Sequence, residues 1–145
     1  MDYAELLTNP GEAGIFLSPP DAEALDAAAD RAGLERWRVD LGAARNKADI
    51  MSAFQHALGL ADGFGANWDA LYDVLADRAL ETPAGVALTL GGCGALARED
   101  GDDFEQLLEV LDSVAESSYD EDIPFWVFIE GVDADEFDLP VLGEE

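Results

Sequence analysis

The sequence predicts an α/β fold in which a small, mainly parallel sheet is flanked by helices, within a single domain spanning residues 1–145. Three observations point there. Short apolar runs alternate with segments of helical periodicity, the order expected of strands joined by crossover helices. Residues 86–90 (Val-Ala-Leu-Thr-Leu) are almost continuously apolar, as in a central parallel strand, and residues 124–130 form the most hydrophobic stretch of the chain. Nearly half of the 145 residues are apolar, enough for a real core despite the heavy charge.

The elements follow in order. Residues 1–12 carry a short apolar patch (Leu6, Leu7) and then Asn9-Pro10-Gly11, an irregular or weakly helical leader. Residues 15–17 form a brief strand bounded by Ser18-Pro19-Pro20. Residues 21–32, rich in alanine and leucine, form a helix that stops at Gly33. From Leu34 to Gly42 the pattern alternates, with Trp37, Val39 and Leu41 on one side and Arg36, Arg38 and Asp40 on the other, a strand of period two. The unit at 14–33 is thus an extra strand–helix element ahead of the unit at 36–60. Residues 47–60 read as a helix whose apolar face holds Ile50, Met51, Phe54, Ala57 and Leu58. A loop at 61–66 leads into a helix at 67–77. Gly91-Gly92-Cys93-Gly94 breaks the strand at 86–90, and residues 102–117 form a second strong helix. The segment from Gly131 is an acidic, loose tail in which Phe137, Leu139 and Val141 are able to dock back.

Charge narrows the function. The net charge is −26, from 33 acids against 7 bases. Nucleic acid is excluded as a direct partner by phosphate repulsion, and an anionic membrane surface is equally disfavoured. A cationic protein is favoured, although such acidity also serves solubility alone. The charge is uneven. Five of the seven basic residues fall between Arg31 and Lys47, and none follows Arg98. The single cysteine, Cys93, allows no internal disulfide and fits a reducing compartment. Residues 1–5 lack the basic-then-apolar order of a signal peptide, and no apolar run nears the ~18 residues of a membrane span, so a soluble, cytoplasmic protein is expected.

Enzymatic chemistry finds little support. The only histidine, His56, sits inside a predicted helix with no evident partner. Cys93 follows a strand but has no base besides His56, and packing is the simpler reading. Gly91-Gly92-Cys93-Gly94 lacks the Lys-Ser/Thr of a phosphate loop and the spacing of a dinucleotide fingerprint. Asp100-Gly101-Asp102-Asp103 lacks calcium-loop spacing and suits a helix N-terminus, which welcomes acids. No catalytic group, metal ligand set or cofactor is expected.

The most telling stretch is residues 63–75 (Gly-Phe-Gly-Ala-Asn-Trp-Asp-Ala-Leu-Tyr-Asp-Val-Leu), a glycine-flanked loop feeding a helix. Asn67 is a good N-cap. Leu71, Val74 and Leu75 fall on one side of the helix. Asp69, Tyr72, Asp73 and Ala76 fall on the other, at i, i+3, i+4 and i+7. Two like charges one turn apart cost a few tenths of a kcal/mol. A carboxylate pair with an aromatic between, preceded by Phe64, is compatible with a docking surface for a basic protein and with a plain solvated helix face.

Residues 64–75 resemble the signature of the barstar family, inhibitors of the secreted bacterial ribonuclease barnase: aromatic-Gly-x-Asn-x-Asp-Ala-Leu-aromatic-Asp-x-Leu. The order of elements over about residues 36–130 is similar as well. The resemblance implies a barstar-like fold and a one-to-one inhibitor that plugs a basic ribonuclease's active site with this helix and the loop before it. It implies that Asp73 stands in for a substrate phosphate, that Asp69 is a second interface carboxylate, that Tyr72 is an aromatic contact, and that the backbone at Gly65 approaches the enzyme. Phe64, Asn67 and Ala76 belong to the same surface. The chain departs from the family pattern at several positions. Gly63 replaces an aromatic, Ala66 and Ala76 replace polar residues, Ser113 and Ser117 stand nearest to acidic contacts, and Arg78 is a cation near the helix end. These departures leave a second expectation, a barstar-fold adaptor that binds another basic protein.

Overall fold

The computed structural model describes residues 3–8, 11, 13–18, 22–60, 67–132 and 139. Its elements are α1 (Tyr3–Leu7), β1 (Ile15–Leu17), α2 (Ala22–Arg31), β2 (Glu35–Asp40), α3 (Lys47–Leu58), α4 (Trp68–Leu80), β3 (Val86–Gly91), α5 (Gly94–Glu99), α6 (Gly101–Asp120) and β4 (Phe125–Ile129). The four strands form one sheet in the order β1-β4-β3-β2, and every pairing is parallel.

Alternation along each strand sorts the side chains into two cores. Trp37 and Val39 of β2, Val86, Leu88 and Leu90 of β3, and Phe125, Val127 and Ile129 of β4 share the larger core with Ile50 and Phe54 of α3, Leu71 and Leu75 of α4, and Phe104, Leu107, Leu111 and Val114 of α6. Ala87, Trp126 and Phe128 point the other way and are buried with Leu7 of α1 and Leu25, Ala28 and Ala29 of α2. Phe16 of β1 lies tilted at 5.7 Å from Trp126, which stacks on Phe128 at 6.3 Å. The extra strand–helix unit therefore adds an edge strand and covers the second face of the sheet.

Local chemistry sets the helix ends. Asn46 caps α3 by accepting the Asp49 N–H at 2.9 Å. Gly59 ends it in the left-handed region (φ 62°), which glycine enters without a Cβ penalty. Asp100 opens α6 by accepting the Asp103 N–H at 3.4 Å, so the acidic run there is a helix start.

The structure corrects several expectations. The leader, expected to be irregular or weakly helical, takes the helical form as α1, where Leu7 is buried (1% exposed) beneath the sheet. The break after β3 contains α5, a helix too short to display a period. Both α4 and α6 run further than expected, to Leu80 and Asp120, and α3 stops at Leu58. Of the three apolar residues expected to dock back, Leu139 packs against the larger core, while Phe137 and Val141 lie outside the described residues.

Leu88 sits at the centre of the sheet with no exposure. Leu88→Ala is expected to lower unfolding free energy by about 2–5 kcal/mol, read from chemical denaturation, since the site has little room to collapse.

Candidate functional site

Helix α4 is built on one capping bond and one buried row. Asn67 is extended (φ −135°, ψ 173°), and its side-chain oxygen accepts the Ala70 N–H at 2.8 Å. That satisfies one of the donors a helix start leaves open. Leu71, Leu75 and Ala79 repeat every four residues and have no exposure. With that row fixed inward, Asp69, Asp73 and Asp77 repeat at the same spacing and are all exposed.

Tyr72 and Ala76 occupy the flank toward α6. They are half-buried and, with Leu80 of α4 and Ser117, Ser118 and Glu121 at the end of α6, line a cavity of about 200 Å³. Trp68 and Tyr72 also pack against the larger core, and the Lys47 ammonium lies 5.9 Å from the Trp68 ring centroid. The face expected from helical spacing is therefore divided into an outward row of carboxylates and a flank that borders α6. Val74, expected beside Leu71 and Leu75, is only half-buried, and Ala79 completes the inner row instead. Asp77 is the residue the sequence reading passed over, although its i+4 spacing from Asp73 was the available signal. Phe64 and Gly65, with Gly63 and Ala66, lie outside the described residues.

Three of the arginines are paired elsewhere. Arg36 pairs with Asp26 and Asp30 at 3.4 and 2.9 Å, Arg38 with Glu130 at 2.8 Å, and Arg45 with Glu99 at 2.7 Å. The Glu130 hydrogen bond raises the pKa of Arg38. Among the described residues, none of these pairs reaches a carboxylate of α4 or α6. Helix α6 adds exposed Glu105, Glu109, Asp112, Glu116 and Asp120, with no base in its last turn. Asp103, at its start, is pushed above the usual carboxyl range first by desolvation and then by its hydrogen bond to Asp100 and the Asp100 charge, with Lys47 opposing.

Cys93 packs in the larger core. It is buried, and its thiol donates to the Leu90 carbonyl at 3.4 Å. Burial, then the charges of Glu130 and Asp40, push the thiol up to about 12, so the nucleophilic thiolate is scarce at neutral pH. His56 is exposed near the end of α3. Among the described residues, no group of three His, Cys, Asp or Glu side chains is placed to hold a metal ion, and no helix is long and apolar enough to cross a membrane.

A family model, Barstar (barnase inhibitor), matches residues 34–130, and these include β2, α3, α4, β3, α5, α6 and β4. The chain belongs to the barstar family. Its β1, α1 and α2 precede the matched barstar region. No curated protein matches the chain. Among solved structures, the ORC2 protein of Aeropyrum pernix, in ADPNP–ADP complexes, is similar with a TM-score of 0.58 at 17% identity. The match covers 92% of this chain and 40% of that one, and such a likeness shows the parallel α/β fold alone. From Trp68 to Leu75 the barstar signature lies on α4, with its two aspartates on the exposed crest and Tyr72 on the α6 flank.

Two outcomes follow from this geometry. Asn67→Ala is expected to cost about 1 kcal/mol of stability in chemical denaturation, the worth of one cap. Cys93 keeps its proton up to about 12 when folded, against 9.0 for an ordinary thiol. The stability from its neutral burial is complete below the ordinary value and is lost as pH climbs toward the folded one. Thermal melts at rising alkaline pH should therefore fall more steeply for the wild type than for Cys93→Ala.

Proposed function

We propose that this barstar-family protein inhibits a basic ribonuclease by placing the carboxylates of α4 in the enzyme's cationic active site, together with the loop that precedes the helix. The observation that carries this reading is the exposed row Asp69, Asp73 and Asp77 on the signature helix, away from the four ion pairs found among the described residues. Within it Asp73 takes the place of a substrate phosphate and Asp69 is the second interface carboxylate. A carboxylate facing guanidinium groups in a site that excludes water makes charge-assisted bonds, bidentate where the geometry allows. Tyr72 supplies aromatic contact at the edge of that patch, beside Ala76. Gly65 and Phe64 contribute the approach of the preceding loop, and Asn67 holds the first turn in place.

The mechanism needs no cofactor and no chemical step. The unneutralised acids of α4 and α6 attract a basic enzyme over distance and raise the rate of encounter. The rigid helix then arrives with its charges already arranged, so little side-chain ordering opposes docking. Protection of the producing cell's own RNA, in its cytoplasm, follows as the biological role, that of an immunity protein or antitoxin. A second reading, a barstar-fold adaptor for another basic protein, is favoured by Arg78 in the last turn of α4 and by Ser113 and Ser117 on α6.

Inhibition titrations against barnase and against small basic nucleases of the native organism separate the two. Asp73→Ala should weaken inhibition by well over tenfold, more than about 1.4 kcal/mol. Its stability should stay within about 0.5 kcal/mol of wild type, because the side chain is exposed. Wild-type affinity in Asp73→Ala would rule out the plug, and a wild-type chain that inhibits none of these enzymes would favour the adaptor.

A further inference from the structure

On one side the sheet ends in β2, a strand of six residues that pairs with β3 alone. The amides of Glu35 and Leu41 donate to the Gly85 and Gly91 carbonyls, so residues 35, 37, 39 and 41 turn their backbone groups toward β3. Those of Arg36, Arg38 and Asp40 point off the sheet and meet no backbone partner among the described residues. All three residues are exposed. Beside this edge α3 presents the small residues Ser52 and Ala53, which with Asp40, Ala43, Ala44 and Asp49 border a hollow of about 270 Å³. A row of unpaired donors and acceptors is a template for another strand.

Charge specifies which strand. Residues 31–47 hold five bases against two acids in a chain of net charge −26, so two copies repel each other least through this segment. A two-fold contact brings the same strand from both copies, antiparallel. The outward groups of Arg36, Arg38 and Asp40 can pair only with one another. An axis at any of these three sets that charge against its own copy, and an axis at Trp37 sets Arg36 against Arg38. Like charges directly opposite are destabilising. An axis at Val39 instead sets Arg38 against Asp40 on both sides of the axis, and Trp37 against Leu41 on the other face. The backbone groups of Arg38 and Asp40 then meet as hydrogen-bonded pairs. Arg38 is 63% exposed while bonded to Glu130, and its guanidinium has further donors to offer.

We propose that the open edge of β2 pairs antiparallel with β2 of a second copy of this chain, about a two-fold axis at Val39. The two sheets join into one, and the order Arg38-Val39-Asp40 is complementary to itself. The inference uses no residue of α4 and stands apart from the inhibitor reading. Pairing along one short edge makes a weak dimer, populated toward millimolar chain.

The test is sedimentation equilibrium of the full chain from low micromolar to millimolar concentration. The buffer holds about 0.5 M sodium chloride, where the screening length falls to about 4 Å, so distant acids are screened and contact pairs are kept. Amide hydrogen exchange is followed by NMR over the same range. A monomer–dimer equilibrium is expected, with the Arg38 and Asp40 amides exchanging fast when dilute and gaining protection as the dimer forms. Arg38→Asp brings carboxylates together at both pairs and Asp40→Arg brings guanidinium groups together, so each should weaken dimerisation about tenfold. An equimolar mixture of the two variants restores opposite charges at both pairs and should dimerise as the wild type does. If either variant fails to fold by circular dichroism, exchange of the wild-type amides decides alone. A monomer throughout, a dimer that leaves the Arg38 and Asp40 amides unprotected, folded variants that each dimerise undiminished, or a mixture that stays monomeric would overturn the proposal. Asp73→Ala should dimerise as the wild type does, so lost inhibition there and lost dimerisation in the β2 variants report on separate surfaces.

Discussion

Strands β3 and β4 carry apolar side chains on both faces, and a parallel pair of that kind has to be covered twice. The segment matched by the barstar model covers one face, with α3, α4 and α6 packed over Leu88, Leu90 and Val127. The other face exposes Trp126 and Phe128, two of the largest fully buried side chains, and these are sheltered by α1, α2 and Phe16. The N-terminal unit is thus an answer to the composition of β4. Covering both faces also fixes the larger core as a rigid floor beneath α4. Because Leu71, Leu75 and Ala79 are pinned to that floor, the direction in which Asp69, Asp73 and Asp77 point is decided by packing rather than by the charges themselves.

The distribution of charge follows the same division. Arg36 and Arg38 alternate with Trp37 and Val39 along β2, so the packing that buries the aromatic forces the arginines outward on the second face. There they meet Asp26 and Asp30 of α2 and Glu130 beyond β4. These two cations, like Arg45, are not available to α4 and α6, whose acids form no ion pair among the described residues. Exposed pairs of this kind add little stability individually. Their consequence lies in where they leave the remaining negative potential.

Much of this was legible in the sequence. The alternation of Trp37, Val39 and Leu41, the apolar run at 86–90 and the amphipathic segments gave strand and helix types directly, because those periods follow from backbone geometry. Asn67 as a cap and Leu71 and Leu75 as inner residues were legible for the same reason. What escaped depended on neighbours. Helix α5 has six residues and begins in a glycine run that reads as a break. Helix α1 owes its form to the burial of Leu7. Tyr72 and Ala76 share a face with Asp69 and Asp73 on a helical wheel. Only the position of α6 beside α4 shows that they line a cleft.

The order of the strands has a consequence for how the chain is made. The first strand, β1, pairs with the last, β4, with Ile15 opposite Val127. On a ribosome the chain emerges from its N-terminus, so Ile15–Leu17 waits unpaired until Phe125–Ile129 has left the exit tunnel. Contacts so distant in sequence form late, after the entropy of closing the intervening loop has been met. A strand of three residues offers little template to a stray neighbour during that interval. Brevity at this edge therefore guards the nascent polypeptide against mispairing, a safeguard that matters before the finished molecule exists.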